Sequence, residues 1–282
     1  MTDPTQNEGT DAGGRRIAVL GAGKMGETLI RGMLSAGAAT PDQVVATAAH
    51  QPRLDDLTAR LGIETTLDNR SAAADADVVL VCVKPQMGTA VISEIASVLG
   101  ERHLVISILA SLSTGAIERR LAGPVPVVRA MPNTPALVRA GMTALCAGRH
   151  AEAEALETAR RLFEPLGRTL LIDEKHFDAV TGLSASGPAF VYLMIESLAD
   201  GGVKVGLPRG IATELAAQAC LGAARMVLET GAHPALLKDE VTTPAGCTVD
   251  GLLQLEAGGV RVTLIKAVVE ARARASELVQ EE

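Results

Sequence analysis

Aromatic side chains are almost missing from this chain, which has no Trp, one Tyr and three Phe in 282 residues. Proteins that grip single-stranded nucleic acid stack bases on such rings, so that class is excluded. A basic surplus is missing too. Lys and Arg number 26 against 33 Asp and Glu, a formal charge of −7, the wrong sign for a phosphate-backbone partner. The four cysteines, at 82, 146, 220 and 247, form no CxxC pair and no cluster, which argues against a disulfide framework. Cys82 and Cys146 sit in apolar strand-like runs, where a reduced, buried thiol is expected. The five histidines are scattered without zinc-ligand spacing, so no metal is expected. The longest uncharged run, Ala179 to Ile195, has 17 residues. It is short for a bilayer helix and contains Gly187 and Pro188, so it reads as a buried helical segment. Residues 1–14 are polar, lack the apolar core of a secretory signal and read as a disordered tail. The expected setting is the cytoplasm.

What the chain does have is length enough for about two domains and an apolar fraction of 48%. Its first half alternates short apolar runs with amphipathic stretches. Strands are expected at Arg16–Leu20, Val44–Thr47, within Asp77–Lys84, at Leu104–Ile108 and at Val125–Arg129. Helices are expected after Gly21 and at Pro52–Leu61, Val91–Leu99 and Gly115–Leu121. Met142–Cys146 and Thr169–Ile172 extend the sheet around a helix at Ala151–Phe163. Such alternation implies a mostly parallel sheet with helices on both faces. After Lys175 the rhythm becomes wholly helical, with helices expected at His176–Leu183, Pro188–Val205, Pro208–Glu229, Ala235–Thr242, Thr248–Ala257 and Val260–Leu278. The expected domains are therefore 15–175, α/β and doubly wound, and 176–282, all-α. An exposed apolar helical face of that size favours dimerisation.

Gly21-Ala22-Gly23-Lys24-Met25-Gly26 directly follows the first strand and opens a helix. In that context G-x-G-x-x-G is the dinucleotide fingerprint of a Rossmann domain. Gly21 permits the tight turn, Gly23 admits the pyrophosphate and Gly26 allows close helix packing. The helix N-terminus then attracts the anion. An acid at the end of the second strand would hold an NAD ribose. Here the chain reads Thr47-Ala48-Ala49-His50-Gln51-Pro52-Arg53. Thr47, His50 and Arg53 are all able to donate to a 2′-phosphate, which favours NADP, with NAD as the alternative. In the helical half, Thr243-Pro-Ala-Gly246-Cys247-Thr248 leads into a helix. Two readings of it stay open: a carboxylate site built from backbone N–H groups, or an ordinary capped loop.

Taken together with Cys82-Val83-Lys84-Pro85, Val128 to Pro135 and Asp178 to Ala189, these motifs resemble pyrroline-5-carboxylate reductase over nearly the whole chain from Arg16 to about Leu278. The resemblance implies reduction of L-1-pyrroline-5-carboxylate to L-proline with NADPH or NADH, the last step of proline biosynthesis. It implies homodimers joined through interlocked C-terminal helices, and rings of dimers such as a homodecamer. Residue by residue, it puts Asn69 at the adenosine end of the cofactor and Cys82–Pro85 along its phosphates and riboses. Ile108 to Ala110 would lie near the nicotinamide. Thr243, Gly246, Cys247 and Thr248 would hold the substrate, with the Thr248 hydroxyl at the ring nitrogen as the catalytic group. Glu174 would approach the substrate. The substrate loop would come from the partner subunit.

The chain departs from the family pattern at Ala185, where Gly is common, and at Phe190, where Tyr is common, so no phenol acts there. Ala245 replaces a second loop glycine, which asks for a backbone angle compatible with a side chain there and leaves the N–H groups intact. Ala48 and Ala49 replace polar residues and weaken the NADP argument. A β-hydroxyacid or 6-phosphogluconate-type dehydrogenase would share the layout. It would need a catalytic lysine motif, which Lys175, Lys204, Lys238 and Lys266 do not provide. A cofactor-binding protein without catalysis is the second rival.

Overall fold

In the computed structural model, residues 14–110 and 112–280 are described here. The expected tail, 1–14, therefore lies outside them except for Gly14. The chain divides into two compact units, one of residues 1–185 with 272–282 and one of residues 186–271. By contacts the chain parts between Ala185 and Ser186, with its C-terminal stretch grouped with the first unit, whereas its secondary structure is wholly helical after Lys175.

The first unit carries one eight-stranded sheet in the order β3-β2-β1-β4-β5-β6-β7-β8. Its strands are β1 Ile17–Leu20, β2 Val44–Thr47, β3 Glu64–Thr66, β4 Val78–Val81, β5 Leu104–Ser107, β6 Val127–Met131, β7 Gly141–Ala147 and β8 Gly167–Leu171. Neighbours from β3 to β6 pair in parallel. β7 runs antiparallel to β6, and β8 is parallel to β7. The helices are α1 Lys24–Ser35, α2 Gln51–Leu61, α3 Asn69–Ala74, α4 Gly88–Ile95, α5 Thr114–Glu118, α6 Ala153–Phe163 and α7 Phe177–Val180. A π-helical stretch, Thr181–Ala185, follows α7.

Alternate strand residues feed two cores, as the period of two requires. Ile17 and Val19 pack with Leu29, Ile30 and Met33 of α1 and Phe163 of α6. Ala18 and Leu20 pack with Ala72 and Ala73 of α3 and Val91, Ile92 and Ile95 of α4. β3 and α3 were not expected from sequence. β3 has only three residues, none of them buried, too few to display a period. Asp68 caps α3 by accepting from the N–H groups of Arg70 and Ser71 at 2.9 and 3.1 Å. The strand expected at Val125–Arg129 begins later, at Val127, and Pro126 instead offers its carbonyl to Val105 N–H at 2.9 Å.

The second unit holds α8 Gly187–Lys204, α9 Arg209–Thr230, α10 Pro234–Glu240 and α11 Cys247–Ala257. α12, Val260–Gln280, begins in it. Its buried core is small: Ala199, Ala212 and Ala216, with Ile195 and Val203 against them. A Cβ on Gly202 of α8 would stand 3.0 Å from Ala212 Cβ of α9, so small residues let these helices approach closely. Large apolar side chains stay exposed, among them Leu193 at 63%, Leu215 at 56% and Ile265 at 59%. Among the described residues, α9 alone is long and apolar enough to cross a membrane. The 17-residue uncharged run does not form one continuous α-helix, since it passes from α7 through the π-helical stretch into α8.

The β7–β8 pair depends on two glycines set opposite each other, Gly141 and Gly167. Gly167 has φ +143, and a Cβ there would fall 2.1 Å from the Gly141 carbonyl oxygen. Gly167→Ala is expected to cost about 3 kcal/mol, the sum of a disfavoured backbone region and an immovable backbone clash. Urea denaturation measures it, and a loss below about 1 kcal/mol would contradict the stated geometry.

Candidate active site

Four adjacent parallel strands end side by side, and each delivers an expected cofactor segment. β1 runs into the glycine loop, β2 ends at Thr47, β4 continues into Cys82–Pro85 and β5 into Ile108–Ala110. The strand order reverses between β1 and β4, the switch point where ligands bind in open α/β sheets. Main-chain bonds carry the alignment past the strand ends: Cys82 N–H donates to Leu20 O at 2.8 Å and Ile108 N–H to Val81 O at 3.2 Å.

Within the loop, Gly21 has φ +87, and a Cβ there would strike Val83 at 2.6 Å. A Cβ on Gly26 would meet the Gly21 carbonyl oxygen at 2.7 Å. Gly23, by contrast, has nothing within 4 Å of its Cβ direction, which leaves room for a phosphate. Gly23 is the N-cap of α1 and brings no side-chain cap. The first bond of the turn is Glu27 N–H to Gly23 O at 2.9 Å. The N–H groups of Lys24, Met25 and Gly26 precede it and point outward from the helix start, suited to an anion.

Thr47 does not play the part expected of it. Its hydroxyl accepts from Gly21 N–H at 3.1 Å and donates to Asn69 Oδ1 at 2.7 Å. Its carbonyl accepts from Ala22 N–H at 2.7 Å. The only hydroxyl proton is committed, and the side chain is 2% exposed, so Thr47 shapes the loop rather than donating to a 2′-phosphate. Asn69 is drawn to the same corner and also donates to Glu94 at 3.0 Å. Arg53 donates through Nε to Ala22 O at 3.0 Å and pairs with Glu27, which Arg60 also contacts. Hydrogen bonding from Arg60, with Arg53 beside it, holds the Glu27 carboxyl below its usual range. His50 and Lys84 are exposed.

Burial pushes the Cys82 thiol up to about 12, so it behaves as an apolar group, not a nucleophile. A Cβ on Gly88 would lie 2.6 Å from Leu109, so the turn after Pro85 packs against the chain leaving β5. There Ala110 O accepts from Arg129 Nη2 at 2.6 Å. Arg129 is 3% exposed. Its Nη1 donates to Glu174 at 3.1 Å, and its guanidinium carbon lies 4.7 Å from the Phe177 ring centroid. Glu174 in turn accepts from Thr114 N–H and Thr114 Oγ1, both at 2.7 Å. The carboxylate expected to approach a substrate is thus engaged on both oxygens within the first unit. Arg129 and Thr114, which hold Glu174, were not singled out from the sequence. The available signal was one cation in the otherwise apolar run Val125 to Met131.

The expected substrate loop lies in the second unit. Gly246 is the N-cap of α11, Cys247 its first residue and Thr248 its second. No side chain caps this end, so the first-turn N–H groups lack intrahelical partners. Gly246 N–H donates to Thr243 O at 3.0 Å, and a Cβ on Gly246 would meet Thr243 Oγ1 at 2.4 Å. Ala245 takes φ +58, in the left-handed region that favours glycine, and not the readily compatible angle expected of an alanine there. Asn133 donates to Ser184 O at 3.2 Å and accepts from Met142 N–H at 2.9 Å, tying the π-helical stretch to β7. Among the described residues no cluster of His, Cys, Asp or Glu is placed to hold a metal. A cavity of about 760 Å³ opens at the opposite edge of the sheet, beside Arg15, Asp77, His103 and Arg149, and no expected cofactor residue lines it.

A glycine loop at the switch point of a parallel sheet, followed by a helical unit, defines the class of nicotinamide-dinucleotide oxidoreductases. Comparison with known proteins resolves the class. The profile of pyrroline-5-carboxylate reductase dimerisation matches residues 174–278. That of "NADP oxidoreductase coenzyme F420-dependent" matches residues 16–111, within the dinucleotide-binding part. The pyrroline-5-carboxylate reductase of Methanosarcina acetivorans is 42% identical over 264 residues, 94% of this chain and 98% of that protein. The Arabidopsis thaliana enzyme is 40% identical over 94% of this chain and 96% of its own length. The solved Coxiella burnetii reductase superimposes with a TM-score of 0.86 at 36% identity, over 94% of this chain and 98% of that one. The Plasmodium falciparum reductase, solved with NADP bound, gives 0.86 at 29% identity over the same shares. The chain belongs to the pyrroline-5-carboxylate reductase family.

Because Gly26 abuts the Gly21 carbonyl, Gly26→Ala is expected to displace the loop and weaken NADPH binding by about 10-fold or more. Titration calorimetry reads the change. An unaltered Kd would remove the loop from the cofactor site.

Proposed function

We propose that this protein reduces L-1-pyrroline-5-carboxylate to L-proline, the last step of proline biosynthesis, with NADPH as reductant. The observation that carries the reading is a helix N-terminus without a side-chain cap in each unit, at α1 and at α11, in a chain 42% identical to such a reductase over 94% of its length. Bound NADPH would supply the hydride that the imine carbon C5 accepts. Gly21, Ala22, Gly23, Lys24, Met25 and Gly26 hold its pyrophosphate, Asn69 its adenosine end, Cys82 to Pro85 its phosphates and riboses, and Ile108 to Ala110 its nicotinamide. The N–H groups of Gly246, Cys247 and Thr248, with Thr243, fix the substrate carboxylate and so aim C5. Thr248 Oγ hydrogen-bonds the ring nitrogen. An unactivated hydroxyl is a poor acid near neutral pH, so Thr248 orients and relays, while water or an already protonated iminium provides the proton. The lack of an acid after β2, with Arg53 beside the glycine loop, favours NADPH over NADH.

The exposed apolar residues of α8, α9 and α12 are best covered by a second copy, in keeping with the dimerisation profile over 174–278. We take the working form to be a cytoplasmic homodimer, with rings of dimers as a larger state. α9 owes its membrane-like composition to this buried role.

Mixing protein, NADPH and the imine should oxidise the cofactor, faster than with NADH. Cofactor binding without oxidation would leave only a binding protein. Thr248→Val is expected to lower kcat/KM by about 10- to 100-fold, and an unchanged value would remove Thr248 from the mechanism. Leu215→Glu, on the exposed face of α9, should shift the mass seen by light scattering to that of a monomer and abolish turnover. A wild-type monomer with full activity would contradict the dimer.

A further inference from the structure

β6 reads Val127-Val128-Arg129-Ala130-Met131, and every one of these residues is buried. A guanidinium in such a strand is costly unless paired, and an apolar side chain of similar volume would usually serve stability as well or better. Arg129 therefore calls for a reason beyond packing. Its two Nη groups go to different places, one to the Ala110 carbonyl at 2.6 Å and one to Glu174 at 3.1 Å. Its Nε is buried without a partner. The ring of Phe177 lies against the guanidinium carbon, at 4.7 Å. The side chain thus leaves one donor unpaired while both arms of its fork are engaged.

What those arms hold is one short stretch of chain. Arg129 pins Ala110 directly. Through Glu174 it pins Thr114, whose N–H and hydroxyl both donate to that carboxylate at 2.7 Å. Two points of the connection leaving β5, Ala110 and Thr114, are thus held through a single ion pair, and the first of them belongs to the segment assigned to the nicotinamide. We propose that Arg129, acting with Glu174, is a positioning residue that fixes the nicotinamide-facing segment after β5 and so sets the hydride-donating end of the cofactor. This rests on the reading of Ile108 to Ala110 given under the proposed function. Lysine, a point charge without a planar fork, would satisfy one arm only. Glu174 acts as the anchor of this bracket and supplies no proton.

The test compares two ligands: NADPH, and 2′-phospho-ADP-ribose, which lacks only the nicotinamide. Arg129→Met is expected to weaken NADPH binding and lower kcat by about 10-fold each, while fragment affinity stays within about two-fold. Arg129→Lys should recover part of the loss. Thr114→Val keeps the ion pair and the N–H contact, and should show the same split at smaller size. It carries the test if Arg129→Met does not fold. Equal weakening of both ligands, or an unimpaired Arg129→Met enzyme, would overturn the assignment of Arg129 alone. Wild-type protein that binds NADPH no more tightly than the fragment would overturn the reading of Ile108 to Ala110, and the proposal with it.

Discussion

The parallel main-chain ladder linking β2, β1, β4 and β5 is the constraint on which the rest of this molecule depends. Strands paired in parallel must all end in the same direction, so four successive segments emerge together along one edge. Turns that are far apart in sequence become neighbours without any side chain having to bring them there. The bonds from Cys82 to Leu20 and from Ile108 to Val81 extend that ladder beyond the strands. The proposed cofactor surface is thus largely backbone, which suits a chain almost without aromatic rings.

Side chains add a second level of control, and they work in pairs of unlike purpose. Thr47 and Asn69 clamp the glycine loop from the β2 side. Arg53 and Glu27 clamp it from α2 and α1. Beyond β5, Arg129 and Glu174 do the same for the connection that follows the strand. Each clamp is a small polar group or ion pair closing on a backbone atom. Catalysis in this family asks mostly for placement, and these contacts are means of placement.

Much of this was legible in the sequence because it depends on local pattern. The apolar β-branched run Val78 to Val83 announces a buried parallel strand, and Gly21, Gly23 and Gly26 announce the loop by their spacing. What escaped was either too short or too distant. β3 has no room to show a period. The hydroxyl of Thr47 looked free because its partner, Asn69, lies 22 residues away in sequence. Arg129 looked like an ordinary strand residue because its partners come from Ala110 and Glu174, and only the fold brings them to it. Local rhythm changes at Lys175, while the contacts of the first unit continue to Ala185.

Ala245 has one more implication. A glycine at that place would let the proposed substrate loop wander among many shapes, and a substrate would have to gather them into one at the moment of capture. Alanine at φ +58 narrows the choice in advance, at the expense of some strain in the resting chain. The entropy of ordering is settled during folding rather than during each turnover. Affinity for a molecule as small as an imino acid, which offers few atoms to grip, then depends less on how many contacts it makes than on how little it must rearrange.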